Sequence, residues 1–238
     1  SAPTDTVTLS NNATVTAGGN AIVSNDTAVA TFFTAYTAWL DHLVAVCYAA
    51  GGIDMLDISP GLSYMTLMYD TQWRTLIAHL RAAYPNLQLI GTAMAAEGYG
   101  TVRFWDALDY IGLAWYQNVQ SSGGGEGLDA IKALWAAYLP GLRSFANAWN
   151  KRVILTELSY SSIKKAGYQP GGTSGTQNGD DQAASYLAYL ETMWNDPISA
   201  GYHWMSYSQP QTGTTRSTYE ATTSAYDGKK MQEVMHQW

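Results

Sequence analysis

The stretch Val153-Ile-Leu-Thr-Glu-Leu-Ser-Tyr-Ser-Ser162 decides how the rest of the chain is read. It opens on a short apolar run, Val153-Ile-Leu, of a length and type that suits a strand buried on both faces, as in a parallel sheet. The run ends on Glu157. A carboxylate directly after a buried strand lies at that strand's carboxyl end, the end at which parallel α/β folds gather their chemistry. A structural Glu that caps the following loop would occupy the same place.

Working outward, the pattern of a β-strand followed by a helix recurs. Before the quoted strand comes a helix predicted at about 128–149, entered from a Gly-rich loop at 121–127, and before that a strand over Asp109–Tyr116. A short helical piece at 101–107 and a strand over Leu87–Ala93 precede these. A helix at about 70–84 comes earlier still, with Trp73, Leu76, Ile77 and Leu80 on one face. Nearer the N-terminus, Asn25-Asp26-Thr27 can cap a helix whose apolar positions Val29, Phe32, Phe33, Tyr36, Leu40, Leu43, Val44 and Cys47 follow 3/4 spacing. It ends at Gly51-Gly52, and a strand over Ile53–Ile58 follows. Beyond the quoted stretch, 160–179 reads as a long loop, Asp180–Trp194 as a helix, Gly201–Tyr207 as a strand and Gly228–Trp238 as a closing helix. Five β-then-α units in a row predict an α/β fold with a parallel sheet.

Residues 1–26 differ. Thr6–Leu9, Ala13–Thr16 and Ala21–Ser24 alternate at period two between Asn-Asn and Gly-Gly-Asn breaks, which predicts three short strands. The domain reading is therefore a β-rich leader over 1–26 and an α/β body over 27–238.

Composition narrows the function classes. Charged residues are only 13% of the chain, about half the usual share, whereas Trp and Tyr number 9 and 17. Rings with an apolar face and a polar edge suit a groove for flat hydroxylated ligands such as sugars, and equally a rigid secreted or virion surface. The net charge of −7 and the absence of a basic cluster beyond Lys164-Lys165 and Lys229-Lys230 argue against nucleic acid as a partner. The lone Cys47 sits in an apolar helical run and reads as a small buried residue. No uninterrupted run of eighteen apolar residues occurs, so no membrane span is expected, and no basic-then-apolar export signal opens the sequence. His42, His79, His203 and His236 lack metal-ligand spacing, so neither a metal nor another cofactor is expected. There is no Gly-x-Ser-x-Gly elbow and no phosphate-loop signature around Gly123-Gly124-Gly125.

The quoted stretch resembles the seventh strand of glycoside hydrolase family 113, an endo-β-mannanase family whose strand ends in Thr-Glu. Further segments agree in order: Phe104-Trp-Asp-Ala-Leu-Asp-Tyr-Ile-Gly-Leu113 before and in the sixth strand, Gln182-Ala-Ala-Ser-Tyr186 in the seventh helix and Gly201-Tyr-His-Trp204 in the eighth strand. Gly228-Lys-Lys and Trp238 resemble the last helix. The resemblance covers about 28–238 and implies a partial or degenerate (β/α)₈ TIM barrel behind the short β-rich leader. It implies that Glu157 is the nucleophile. Tyr116 and Trp204 would flank the same mouth, with Trp115 and Tyr160 beside them as substrate contacts; ordinary core aromatics are the other reading of such residues. The turn Ala49-Ala-Gly-Gly-Ile-Asp54 also resembles the TIM-barrel-like domain of phage and gene-transfer-agent tail proteins.

Against the family's pattern the chain departs in three places. The acid that closes the fourth strand is aligned with Ile58-Ser-Pro-Gly-Leu62, so its position holds Gly61, and glycine cannot protonate a leaving group. A sixth-strand carboxylate becomes Ala114. Only residues 1–26 stand where the family spends its first three β/α units, leaving sheet edges that another chain would cover. Asp57, Asp70 and Glu97 lie near upper strand ends and could replace the acid, Glu97 foremost; Asp54 and Asp57 also read as loop carboxylates bonding local backbone. The expectation is a degenerate glycosidase-like module, binding carbohydrate or building a virion or extracellular surface assembly as an oligomer. The alternative is an active retaining endo-glycosidase with Glu157 as nucleophile and an unusual acid.

Overall fold

The computed structural model describes residues 6–8, 14–16, 26–95, 98–123, 126–168, 170–172, 175–204 and 230–237. The chain divides into two compact units, 1–54 with 71–87, and 55–70 with 88–238.

In the first unit, β1 (Thr6–Thr8) and β2 (Thr14–Thr16) pair antiparallel with Val7 opposite Val15. The third predicted strand of the leader, 21–24, lies outside the described residues. Two helices follow, α1 (Asp26–Ala49) and α3 (Asp70–Ala83). Phe33 meets Trp73 edge-to-face at 5.1 Å, Asp41 accepts from His79 Nε2 at 2.8 Å, and Tyr48 lies 6.0 Å from Tyr84. Contacts that advance together along both chains mean that the helices run parallel, as successive helices of β/α units do. The stripe Phe33, Leu40 and Val44 is buried, whereas Trp39 and Val46 are half exposed. Thr27–Ala49 is long and apolar enough, with mean hydropathy 1.2, to cross a bilayer by length and composition, although polar residues interrupt it. Cys47 is a half-buried free thiol, less enclosed than its apolar setting predicts.

The second unit is built on a five-stranded parallel sheet in the order β3-β4-β5-β6-β7: β3 (Met55–Asp57), β4 (Gln88–Met94), β5 (Tyr110–Trp115), β6 (Arg152–Leu158) and β7 (Ser199–Trp204). Sequential order with every neighbour parallel is the topology of consecutive β/α units. The middle strands are closed on both sides: Leu89–Ala93 and Ile111–Trp115 are buried throughout. That is why they read as apolar runs rather than alternating ones. α2 (Ser63–Met68) follows β3 and is a short helix that the apolar spacing does not announce. Two single 3-10 turns, at 99–101 and 105–107, replace the helical piece predicted at 101–107.

The long helices are α4 (Leu128–Trp149), α5 (Gly179–Met193) and α6 (Lys230–Gln237). α4 buries Ile131, Trp135, Leu139, Leu142 and Ala146, a 3/4-spaced stripe, and stops at Asn150, which takes the left-handed conformation at φ 52°. Its apolar face carries an aromatic seam. Trp115 of β5 stacks on Trp135 at 5.1 Å, Trp135 meets Tyr189 of α5 at 5.3 Å, and Tyr189 meets Tyr202 of β7 at 5.1 Å. Arg143 of α4 donates twice to Asp196, whose side chain is 2% exposed. This sequence of seam and ion pair fixes the helix side of the sheet and leaves its other wall to the polar residues described next.

Candidate active site

Side-chain direction along each strand sorts residues between the two walls. On β5, Ile111, Leu113 and Trp115 face the aromatic seam, so Gly112, Ala114 and Tyr116 share the opposite wall. On β6 the pairing reads Leu113 with Leu155, then Ala114 with Glu157, so Thr156 is an extra residue. β7 registers the same insertion, pairing Leu155 with Tyr202 and Leu158 with Trp204. This is a β-bulge, and it puts Thr156 and Glu157 on one wall where strict alternation would separate them.

The bulge assembles a polar cluster. Tyr116 Oη donates to Glu157 Oε2 at 2.9 Å. Thr92 of β4 reaches across to Thr156, Oγ1 to Oγ1 at 2.8 Å, and its hydroxyl bonds Asp57 Oδ2 of β3 at 2.5 Å. The Ser59 amide donates to Asp57 Oδ1 at 3.1 Å. Two strands away from β4, Thr156 is within reach only because Gly112 lies between: a Cβ there would stand 2.7 Å from both the Gly91 carbonyl and Thr92 Oγ1.

Burial holds the Asp57 carboxyl above its ordinary value. The Thr92 and Ser59 hydrogen bonds oppose this, as does His203 on β7, while the nearby charge of Glu157 adds to it. Burial first, then Glu157, pushes the Tyr116 phenol far up, so it remains a donor across the physiological range.

The segment between β6 and α5 braces this wall. Gly171 donates from its amide to the Ser159 carbonyl at 3.0 Å, and its φ of 78° brings it against the Tyr116 ring, where a Cβ would lie 2.9 Å from Cε1. Gly167 accepts from the Val119 amide at 2.8 Å and donates to Gln120 Oε1 at 3.1 Å. Asn178 caps α5, accepting from the Asp180 and Asp181 amides at 2.9 and 3.1 Å. The described part of 160–179 is thus tied down rather than free.

Of the residues singled out from sequence, Glu157 and Tyr116 come together. Trp115 is placed on the seam side, 2% exposed. Tyr160 is fully buried against Tyr186, ring centroids 4.9 Å apart. Both serve the core, where a glycan would have to displace helices to touch them. Trp204 lies on β7 by position, and Glu97 lies outside the described residues. Gly61, at φ 68°, has no heavy atom near the place of its missing Cβ. Sequence reasoning gave no site role to Thr92, Thr156 or His203, and read Asp57 both as a loop carboxylate and as a substitute acid ranked behind Glu97. Asp57 does bond local backbone, through Ser59, but it also joins the wall. Its signal was available: an Asp after Met-Leu at a strand end repeats the pattern that singles out Glu157.

Comparison with known proteins agrees with this geometry. The profile of Glycoside Hydrolase Family 113 matches residues 19–229. No curated protein matches the chain. Among solved structures, a GH113 β-mannanase from Alicyclobacillus acidocaldarius, in complex with ManMIm, superposes with a TM-score of 0.71 at 22% identity, covering 87% of this chain and 61% of that one. A complex of a GH113 β-1,4-mannanase gives 0.67 at 17% identity, with 86% and 61% covered. A β-glucuronidase from an uncultured Clostridium sp. gives 0.63 at 12%, with 86% and 35% covered. The chain spans about three fifths of the mannanases' length. At these identities the superpositions establish the fold.

Proposed function

The chain belongs to glycoside hydrolase family 113, and from that premise we propose that it is a retaining glycosidase acting on β-linked polysaccharide, with Glu157 as the carboxylate that attacks the anomeric carbon. The observation that carries the reading is the 2.9 Å bond from Tyr116 Oη to Glu157 Oε2. A phenol that stays protonated fixes one oxygen of the carboxylate and orients the other, Oε1, for attack. The bulge supports the reading too, because it brings Glu157 to the polar wall rather than the seam. β-Mannan is the first substrate to try, since two superposing proteins are described as β-mannanases.

The test is release of dinitrophenolate from dinitrophenyl β-mannobioside and dinitrophenyl β-glucuronide, leaving groups that need little protonation. Hydrolysis that falls to the buffer blank in Glu157→Gln, with the first-formed sugar retaining its β configuration by NMR, is the expected result. Inversion of configuration would remove Glu157 from the nucleophile's role. A second reading draws on Gly61 and Ala114: a module that binds glycan without turning it over, within an oligomeric virion or extracellular surface assembly. Glycan binding by a wild-type protein that releases no dinitrophenolate would favour it.

A further inference from the structure

We infer that Asp57, on the strand three places before that of Glu157, is the proton donor to the leaving oxygen, a role left without an acid at Gly61. The inference rests on the reading of Glu157 as nucleophile and adds its partner.

Three observations converge. Asp57 ends β3 on the polar wall, and two hydroxyl contacts link it to the residue beside Glu157: Asp57 Oδ2 to Thr92 Oγ1 at 2.5 Å, then Thr92 Oγ1 to Thr156 Oγ1 at 2.8 Å. Thr92 has one hydroxyl proton, so it cannot donate in both directions. With its proton given to Asp57 Oδ2, Thr92 accepts from the Thr156 hydroxyl, and the relay seats Asp57 on the wall that carries Glu157. Second, the groups whose charge Asp57 meets are Glu157 and His203. A neighbouring carboxylate favours the neutral acid, and burial does so more strongly. Third, two carboxyl groups in unlike surroundings, one whose burial favours its proton and one oriented by a phenol, are what acid and nucleophile require.

In the first step Glu157 Oε1 forms a bond to the anomeric carbon. The glycosidic C–O bond breaks with its electron pair on the leaving oxygen, which takes the Asp57 proton. In the second step the Asp57 carboxylate accepts a proton from water, the water oxygen bonds the anomeric carbon, and Glu157 leaves as carboxylate. The sum is glycoside plus water giving two sugars, with both side chains restored.

The test compares wild type and Asp57→Asn on a β-mannan oligosaccharide and on dinitrophenyl β-mannobioside. For a general acid, kcat/KM on the oligosaccharide falls about 10²–10⁴-fold. The first-turnover burst of dinitrophenolate survives, and added azide speeds turnover and yields a glycosyl azide of β configuration. Unchanged cleavage of the oligosaccharide, equal loss on both substrates in a variant that melts like wild type, or an α-configured azide would each overturn the role of Asp57. Wild type inactive on both substrates overturns the Glu157 reading and this one with it; wild type active and Asp57→Asn indifferent overturns this one alone. Thr92→Val gives a second measurement should Asp57→Asn not fold. Removing a hydrogen bond that favours the ionised carboxyl moves the alkaline limb of kcat/KM to higher pH, and an unmoved limb counts against the proposal.

Discussion

Gly112 shows how much of the site hangs on one missing side chain. It lies between β4 and β6 on the polar wall and leaves room for Thr92 to reach Thr156. A methyl group there meets the Gly91 carbonyl, which cannot turn aside, so Gly112→Ala forces the strands apart. The expected cost is about 1–3 kcal/mol, the usual range for overpacking, seen as a lower urea midpoint with an unchanged slope. A midpoint equal to wild type would mean that the wall yields freely. No sequence pattern distinguishes this glycine from one that merely weakens a strand; the requirement comes from two other strands. Asp57 was legible as a strand-end acid, but its partner Thr92 is thirty-five residues away and became visible only once the sheet was assembled.

At the scale of elements, the segment between β6 and α5 joins the site to the helix that follows. Asn178 holds two amides of the first turn of α5, and Lys165 donates its amide to Asp181 Oδ2 at 2.7 Å. Asn178→Ala therefore loses a cap worth about 1 kcal/mol, and thermal unfolding should report a loss of that order. A variant as stable as wild type would show that the Asp181 link alone secures the helix start. Most elements were legible here. α4 was read as 128–149 and is Leu128–Trp149, because its apolar stripe is long and a Gly-rich segment marks its start. α2 was missed because six residues give too short a period to recognise. The bulge in β6 was missed because a buried strand has no polar alternation to interrupt.

For the whole molecule, acidity is the variable that connects site and stability. A carboxyl held above its ordinary value binds its proton more tightly folded than unfolded. Its contribution to stability is complete below the unfolded pKa, about 3.9, and is lost as pH rises through the higher folded value. Asp57→Asn is neutral at every pH and lacks this dependence. The unfolding free energy of the variant minus that of wild type should therefore rise as pH increases from about 4 toward neutrality, read from denaturant melts. A fall over that interval would mean that Asp57 is ionised in the folded protein. The sequence carried the class of fold and the order of its strands, because buried parallel strands and amphipathic helices alternate along it. Which carboxyl faces which is a property of the assembled sheet. Between Leu155 and Leu158, β6 carries one residue more than β5 and β7 pair with there. Shortening the chain by Thr156 would thus leave Leu155 opposite Leu113 and Glu157 opposite Ala114, removing the irregularity against β5 and, with it, the hydroxyl that Thr92 meets. Thr156 is thus the residue that widens the wall: it adds a hydroxyl beside Glu157 without turning Glu157 toward the aromatic seam.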